Sequence, residues 1–245
     1  MKSVIIIPAR YKSSRFPGKP LVDLLGKPMI IWVADLSANA IGKENVFIAT
    51  DDERIANVVN EHGYSVVMTS ESCLTGTDRL AEAATQIDAD IYINVQGDEP
   101  LINPEDILKV RDKKIEFPDA IINAYCWISD NEDPDSVNIP KVITNEKDQL
   151  VYMSRKALPG YKDPCNKPKK YKKQVCIYAF TKDELLKFKN FGRKSDLESF
   201  EDIEIIRFFE FDKPIFMVET TGSSLAVDIP DDVQKVVKVI DEAKE

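Results

Sequence analysis

Four basic residues, Arg10, Lys12, Arg15 and Lys19, fall within the twelve-residue stretch PARYKSSRFPGK (8–19), directly after the apolar run SVIII. On a chain of net charge −9 such a cluster repels itself unless an anion lies among its members. A phosphate-rich ligand supplies that anion, because a guanidinium binds phosphate through a fork of donors and an ammonium as a point charge. Gly18 and Gly26 let a backbone approach the ligand closely, while Pro17 and Pro20 stiffen the path. In NVQGDEP (94–100) an apolar run ends on Gln96, Gly97, Asp98 and Glu99. Carboxylates beside phosphates suit Mg2+, which takes one or two of them and completes its shell with phosphate oxygens and water. Asp228 in VDIPDD is a further acidic candidate, but an aspartate ahead of Ile-Pro is equally an ordinary helix N-cap. Spacing alone leaves both roles open.

Positioning these groups needs a sheet whose strand ends lie together. SVIIIP, NVFIAT, YSVVMT and DIYINV read as buried strands. Between them PMIIWVADLSANAI, ERIANVVNEH and TDRLAEAATQI carry apolar residues at three- and four-residue spacing. That alternation predicts a mainly parallel α/β sheet wound with helices on both faces. Ligands of such sheets sit beyond the carboxyl ends of the strands, where the basic loop begins. Pro28 suits the start of the first helix, and Gly63 after His62 a helix stop. After DAIINAYCWI the rhythm breaks. Residues 127–180 hold an acidic stretch, the strands PKVIT and QLVYMS, a Lys-rich loop and the strand QVCIYAF, and read together as an inserted β-rich arm in a single domain spanning 1–245. A helix around FEDIEIIRFFEF, a strand PIFMVETT and a final helix from DIPDDVQKVVKVI complete the chain.

Composition removes several function classes. The net acidity leaves no broad basic face for nucleic acid or a membrane surface. No apolar stretch is long enough to span a bilayer, and Met1-Lys2 leads straight into a strand rather than a signal core, so a cytoplasmic protein is expected. Cys73, Cys126, Cys165 and Cys176 lack C-x-x-C spacing and read as reduced packing residues. The loop departs from both G-x-G-x-x-G and G-x-x-x-x-G-K-[ST], which disfavours a dinucleotide-dependent dehydrogenase and a P-loop NTPase. His62, the single histidine, sits at a predicted helix end where the dipole favours it, away from any catalytic pattern. The run NKPKKYKK reads as a solvated loop that could close over an anionic sugar.

Taken together, PARYKSSRFPGKPL, TGTDRLAEA, INVQGDEPLI and VDIPDD resemble the motifs of the CMP-sugar synthetases, most closely the 3-deoxy-manno-octulosonate (KDO) cytidylyltransferases. The resemblance is specific through the first 110 residues and looser beyond. It implies a GT-A-like nucleotidyltransferase fold and a homodimer made through the arm. It also implies the Mg2+-dependent reaction of CTP with an ulosonic acid to give a CMP-sugar and pyrophosphate, for a surface polysaccharide. Carried over by position, Pro8, Ala9, Arg10, Arg15 and Lys19 lie along the nucleotide and its phosphates, and Gly76, Arg79 and Gln96 near cytosine and ribose. Arg10, Lys19 and Asp98 are the implied catalytic groups, and Asp98 with Asp228 the implied metal ligands.

At the sugar end the resemblance implies Gln174, Tyr178, Glu198, Glu201 and Arg155, with two departures. Gln174 stands where KDO-specific relatives carry histidine, and Ile205 replaces the glutamine of L-E-x-x-E-x-L-E-Q-L-R, while Glu198, Glu201 and Arg207 are kept. A site that hydrogen-bonds hydroxyls discriminates through such contacts, so the expected sugar is KDO or a close analogue such as 8-amino-KDO. Two rivals are a sugar-1-phosphate nucleotidyltransferase, whose loop is richer in glycine, and a silent nucleotide-binding protein. Intact Arg10, Lys19, Asp98 and Asp228 weigh against the second.

Overall fold

The computed structural model describes residues 1–12, 16–222 and 225–242. The strand β1 (Ser3–Ala9) leads through the basic loop to a small antiparallel ribbon, β2 (Asp23–Leu24) with β3 (Lys27–Pro28), and on to α1 (Met29–Ile41). Then follow β4 (Val46–Thr50), α2 (Glu53–Glu61), β5 (Ser65–Met68), α3 (Gly76–Ala84), β6 (Ile91–Val95), α4 (Pro104–Glu116) and β7 (Ile121–Trp127). The remainder is β8 (Lys141–Thr144), β9 (Leu150–Ser154), β10 (Lys172–Phe180), α5 (Lys182–Asn190), α6 (Asp196–Glu201), β11 (Ile215–Glu219) and α7 (Pro230–Glu242).

The sheet runs β11-β7-β10-β6-β1-β4-β5, with β8 and β9 attached at the start of β10. As the alternating pattern predicts, β6, β1, β4 and β5 pair in parallel. β1 is central, and its Val4, Ile5, Ile6 and Ile7 are wholly buried, as a β-branched run covered on both faces should be. One face packs Leu80, Ala81 and Ala84 of α3 and Leu185 and Phe188 of α5 over Val4, Ile6 and Tyr92. The other packs Ile30, Val33, Ile55, Val59, Ile107 and Val110 of α1, α2 and α4 over Ile5, Ile7 and Ile93. A smaller cluster of Leu24, Met29, Val227, Val236 and Ile240 seats α7 against the β2–β3 ribbon. Gly63 has φ +72°, which confirms the stop after α2.

Two expectations change. β10 belongs to the main sheet, antiparallel to both β6 and β7, rather than to an arm reaching residue 180. The reason lies in its burial: Tyr178 and Phe180 enter one core cluster while Ile177 and Ala179 enter the other, which only an interior strand can do. The inserted segment is therefore the stretch between β7 and β10, whose β8–β9 hairpin joins the sheet through the start of β10. The helix expected around FEDIEIIRFFEF is broken: α6 ends at Glu201, Asp202 after it takes a left-handed conformation (φ +50°), and Glu204–Phe211 form a 3-10 helix. That break turns Ile203, Ile205, Ile206 and Phe208 inward together.

Candidate active site

The carboxyl ends of β1 and β6 open onto a cavity of about 950 Å3 whose wall includes Pro8, Ala9, Arg10, Lys19, Gly76, Arg79, Gln96, Asp98 and Asp228. β1 and β6 approach so closely that a Cβ on Gly97 would lie 3.0 Å from the Pro8 carbonyl oxygen and 3.2 Å from Ile30. Glycine is required there by crowding. The basic loop then folds back on itself, with Gly18 N–H donating to the Tyr11 carbonyl at 2.9 Å. Gly18 has φ +72°, and its α-carbon faces the Tyr11 ring, onto whose plane the Arg54 guanidinium stacks at 3.3 Å. Arg54 is itself held by both oxygens of Asp52, at 2.9 and 2.7 Å. Lys12 pairs with Glu71 at 2.7 Å, both side chains being exposed. Arg15 lies outside the described residues.

Lys19 is the centre of this site. Its Nζ donates to Asp98 Oδ2 at 2.6 Å and stands 4.0 Å from Asp228 Oδ1. Two carboxylates far apart in the chain, Asp98 and Asp228, thus converge on one ammonium. The Asp232 carboxylate accepts from Asp228 N–H and Ile229 N–H at 3.1 and 3.2 Å, which ties the start of α7 to the loop that carries Asp228. The loop carrying Asp228 is tied down by Val227 N–H donating to the Asp98 carbonyl at 2.9 Å. Two partly exposed carboxylates around one cationic position fit a hard divalent ion that needs phosphate and water to complete its shell. Among the described residues no group of three or more His, Cys, Asp or Glu forms a closed metal cage. Cys73 and Cys126 also line the cavity, and burial pushes both thiols up to about 11, so they remain protonated at neutral pH.

The side of the cavity lined by Gly76, Arg79 and Gln96 is stiffened by α3. Thr75 caps it, accepting from Asp78 N–H at 3.2 Å. Arg79 is buried and bound by Asp51 at 2.8 Å and by Thr69 Oγ1 at 2.5 Å. Gln96 donates to Glu204 Oε1 at 3.2 Å, and Glu204 Oε2 accepts from Thr77 N–H at 3.0 Å. Glu204 links β6, α3 and the 3-10 helix, and burial raises its pKa. Sequence reasoning passed it over. The available signal was a lone acid between Ile203 and Ile205 in an otherwise inward-facing run.

The sugar-end candidates divide. Gln174 and Tyr178 line the cavity. Glu198 borders it, but its oxygens are committed to Arg207, at 2.6 and 2.7 Å, and to Ser195 N–H at 3.0 Å. Arg207 is fully buried and also donates to Asp78 at 2.8 Å, so one guanidinium joins α6, α3 and the 3-10 helix. Glu201 accepts from Ser154 Oγ at 2.7 Å and Arg155 N–H at 2.8 Å. Arg155 in turn clamps the carbonyls of Glu201, Val137 and Asp202 at 2.5, 2.8 and 2.8 Å. Of the two departures only Gln174 reaches the cavity wall; Ile205 is wholly buried in the core, because the 3-10 turn points it away. Arg207→Met is expected to lower unfolding free energy by about 3 to 5 kcal/mol in urea titration, since it strands two buried carboxylates. An unchanged midpoint would show that the triad adds nothing to stability.

Residues 4–215 match the family model described as Cytidylyltransferase. The chain belongs to the cytidylyltransferase family. Within that family, it is 42% identical to the 3-deoxy-manno-octulosonate cytidylyltransferase of Geobacter metallireducens, across 97% of each chain. It is 36% identical to that of Escherichia coli, over 96% of this chain and 94% of that one. Among solved structures it superposes on a CMP:2-keto-3-deoxy-manno-octonic acid synthetase complexed with CTP, with a TM-score of 0.92, 36% identity and coverage of 99% and 100%. A glucose-1-phosphate thymidylyltransferase described as putative, from Bacillus anthracis, shares the fold alone, at TM-score 0.68 and 16% identity over 97% of this chain and 94% of that one. The cytidylyltransferase fold therefore accounts for the mostly parallel sheet and its helices. Among the described residues no helix is long and apolar enough to cross a membrane.

Proposed function

We propose that this cytidylyltransferase transfers the cytidylyl group of CTP to the anomeric hydroxyl of a 3-deoxy-ulosonic acid, KDO or a close analogue such as 8-amino-KDO, releasing pyrophosphate. The observation that carries this reading is the convergence of Asp98 and Asp228 on Lys19 beside the Pro8–Arg10 strand end. The full-length similarity to curated 3-deoxy-manno-octulosonate cytidylyltransferases supports the choice of nucleotide and sugar.

Attack on the α-phosphorus builds negative charge on the phosphoryl oxygens and on the departing pyrophosphate, so fixed cations supply the main stabilisation. Arg10 and Lys19, both on the cavity wall, would meet that charge, and no enzyme nucleophile is needed. Asp98 and Asp228 would hold Mg2+, which when bound offsets phosphate charge and lowers the pKa of an oxygen it touches. Arg79 and Gln96, fixed by Asp51 and Glu204, shape the base and ribose side. The Gln174 and Tyr178 side takes the sugar. A homodimer built on the segment between β7 and β10 belongs to the same reading, supported by Val137 and Val151, which stand 56% and 57% exposed there. A cytoplasmic setting accords with an enzyme that consumes CTP.

The test is pyrophosphate release with each of the four nucleoside triphosphates across a panel of ulosonic acids and sugar phosphates. CTP with an ulosonic acid is expected to exceed ATP or GTP by at least about a hundredfold in kcat/KM, because a base site built from fixed hydrogen-bonding groups rejects the wrong edge strongly. Equal turnover with a purine triphosphate, or turnover of a sugar 1-phosphate in place of an ulosonic acid, would overturn the assignment.

A further inference from the structure

We infer that Asn123 is a positioning residue that locks Gln174 with its amide oxygen toward the cavity, so that the site reads a hydrogen-bond donor on the sugar at that point. This deepens the function proposed above and rests on it. β10 carries an irregularity where its register with β7 slips between Val175 and Tyr178. The Asn123 amide fills the gap, donating from Nδ2 to the Val175 and Ile177 carbonyls at 2.9 and 3.0 Å. Backbone carbonyls only accept, so this fixes which end of the Asn123 amide is nitrogen, and Oδ1 must accept. Gln174 Nε2 lies 3.1 Å from that oxygen and 3.2 Å from the Tyr178 hydroxyl. Both N–H bonds of Gln174 are thereby used. Turning the amide over would set two oxygens against each other. Oε1 remains, on a residue that lines the cavity, and among the described residues no donor reaches it.

An imidazole at this position could offer either a donor or an acceptor, whereas the locked amide offers an acceptor alone. The surroundings reinforce that polarity, because Glu99 and Glu204 line the same cavity and bear electrostatically on Tyr178. A hydroxyl or an ammonium on the sugar satisfies the site. A fluorine or hydrogen in its place leaves a desolvated acceptor unpaired.

The experiment measures kcat/KM at saturating CTP for the best ulosonic acid and for analogues with each hydroxyl in turn replaced by fluorine or by an amine. One position should lose about ten- to a hundredfold with fluorine and keep activity with the amine. In Gln174→Leu that positional preference should vanish while the KM for CTP stays unchanged. Asn123→Asp removes the two donors that fix the network, and should raise the KM for the sugar and shrink the same preference, with kcat less affected. Should Asn123→Asp fail to fold, the Gln174→Leu comparison alone decides. A fluorine penalty that persists undiminished in Gln174→Leu, or no position that prefers a donor, would overturn the inference while leaving the cytidylyltransferase reading intact. Absence of turnover with every ulosonic acid would instead remove the function on which it rests.

Discussion

Asp98→Asn and Asp228→Asn are each expected to leave the protein folded and to cut pyrophosphate release by about a hundredfold or more, the larger loss falling on Asp98. Each change removes one ligand charge from a site that has two carboxylates to offer a hard cation. Stability should barely move, because both carboxylates are partly exposed and an exposed ion pair contributes little to folding. The discriminating measurement is the Mg2+ concentration needed for half-maximal rate, which should rise in both variants. Asp98 has a second duty, since it holds the Lys19 ammonium at 2.6 Å, so its variant should also weaken nucleotide positioning. Near-normal activity and unchanged Mg2+ dependence in either variant would remove that residue from the site.

Lys19→Ala is the second large effect. The Lys19 side chain is only 16% exposed, and a cation in so sheltered a place meets developing phosphate charge with little screening by water. A loss of about a hundred- to a thousandfold in kcat is expected, exceeding any loss in CTP affinity, because charge on the phosphates grows as the bond to pyrophosphate breaks. Lys19→Arg should recover only part, since a planar fork cannot reproduce a point charge between two carboxylates. Binding of CTP measured directly, beside turnover, separates the contributions. If affinity alone fell and kcat held, Lys19 would be a binding group with no preference for the transition state.

A contrast between these two predictions and the Arg207 triad follows from burial. Arg207, Asp78 and Glu198 are out of water, so breaking the set costs stability. Lys19, Asp98 and Asp228 remain open to ligand, so breaking that set costs rate.

What the sequence determined by itself was whatever depends on neighbours along the chain. Period and turn chemistry fixed the β1–β6 half of the sheet, because each strand there is a short apolar run closed by polar residues and joined by an amphipathic helix. The order of strand then basic loop, and of strand then Asp98, placed both groups at one sheet edge, since parallel strands share their carboxyl ends. Three things waited for tertiary structure. β10 joined the sheet interior because its two faces are both apolar, a property indistinguishable in sequence from a strand in an arm. Ile205 turned from the cavity because a left-handed Asp202 and the 3-10 turn after it set where it points, and Glu198 is held at the cavity border by Arg207, and no periodicity signals either outcome. Asp228 stands within 4.0 Å of Lys19 although more than two hundred residues separate them, and a helix cap and a metal ligand are spelled with the same letter. The packing of α7 on the β2–β3 ribbon and the Val227 N–H bond to the Asp98 carbonyl bring that carboxylate to the ammonium, long-range contacts that local spacing does not encode.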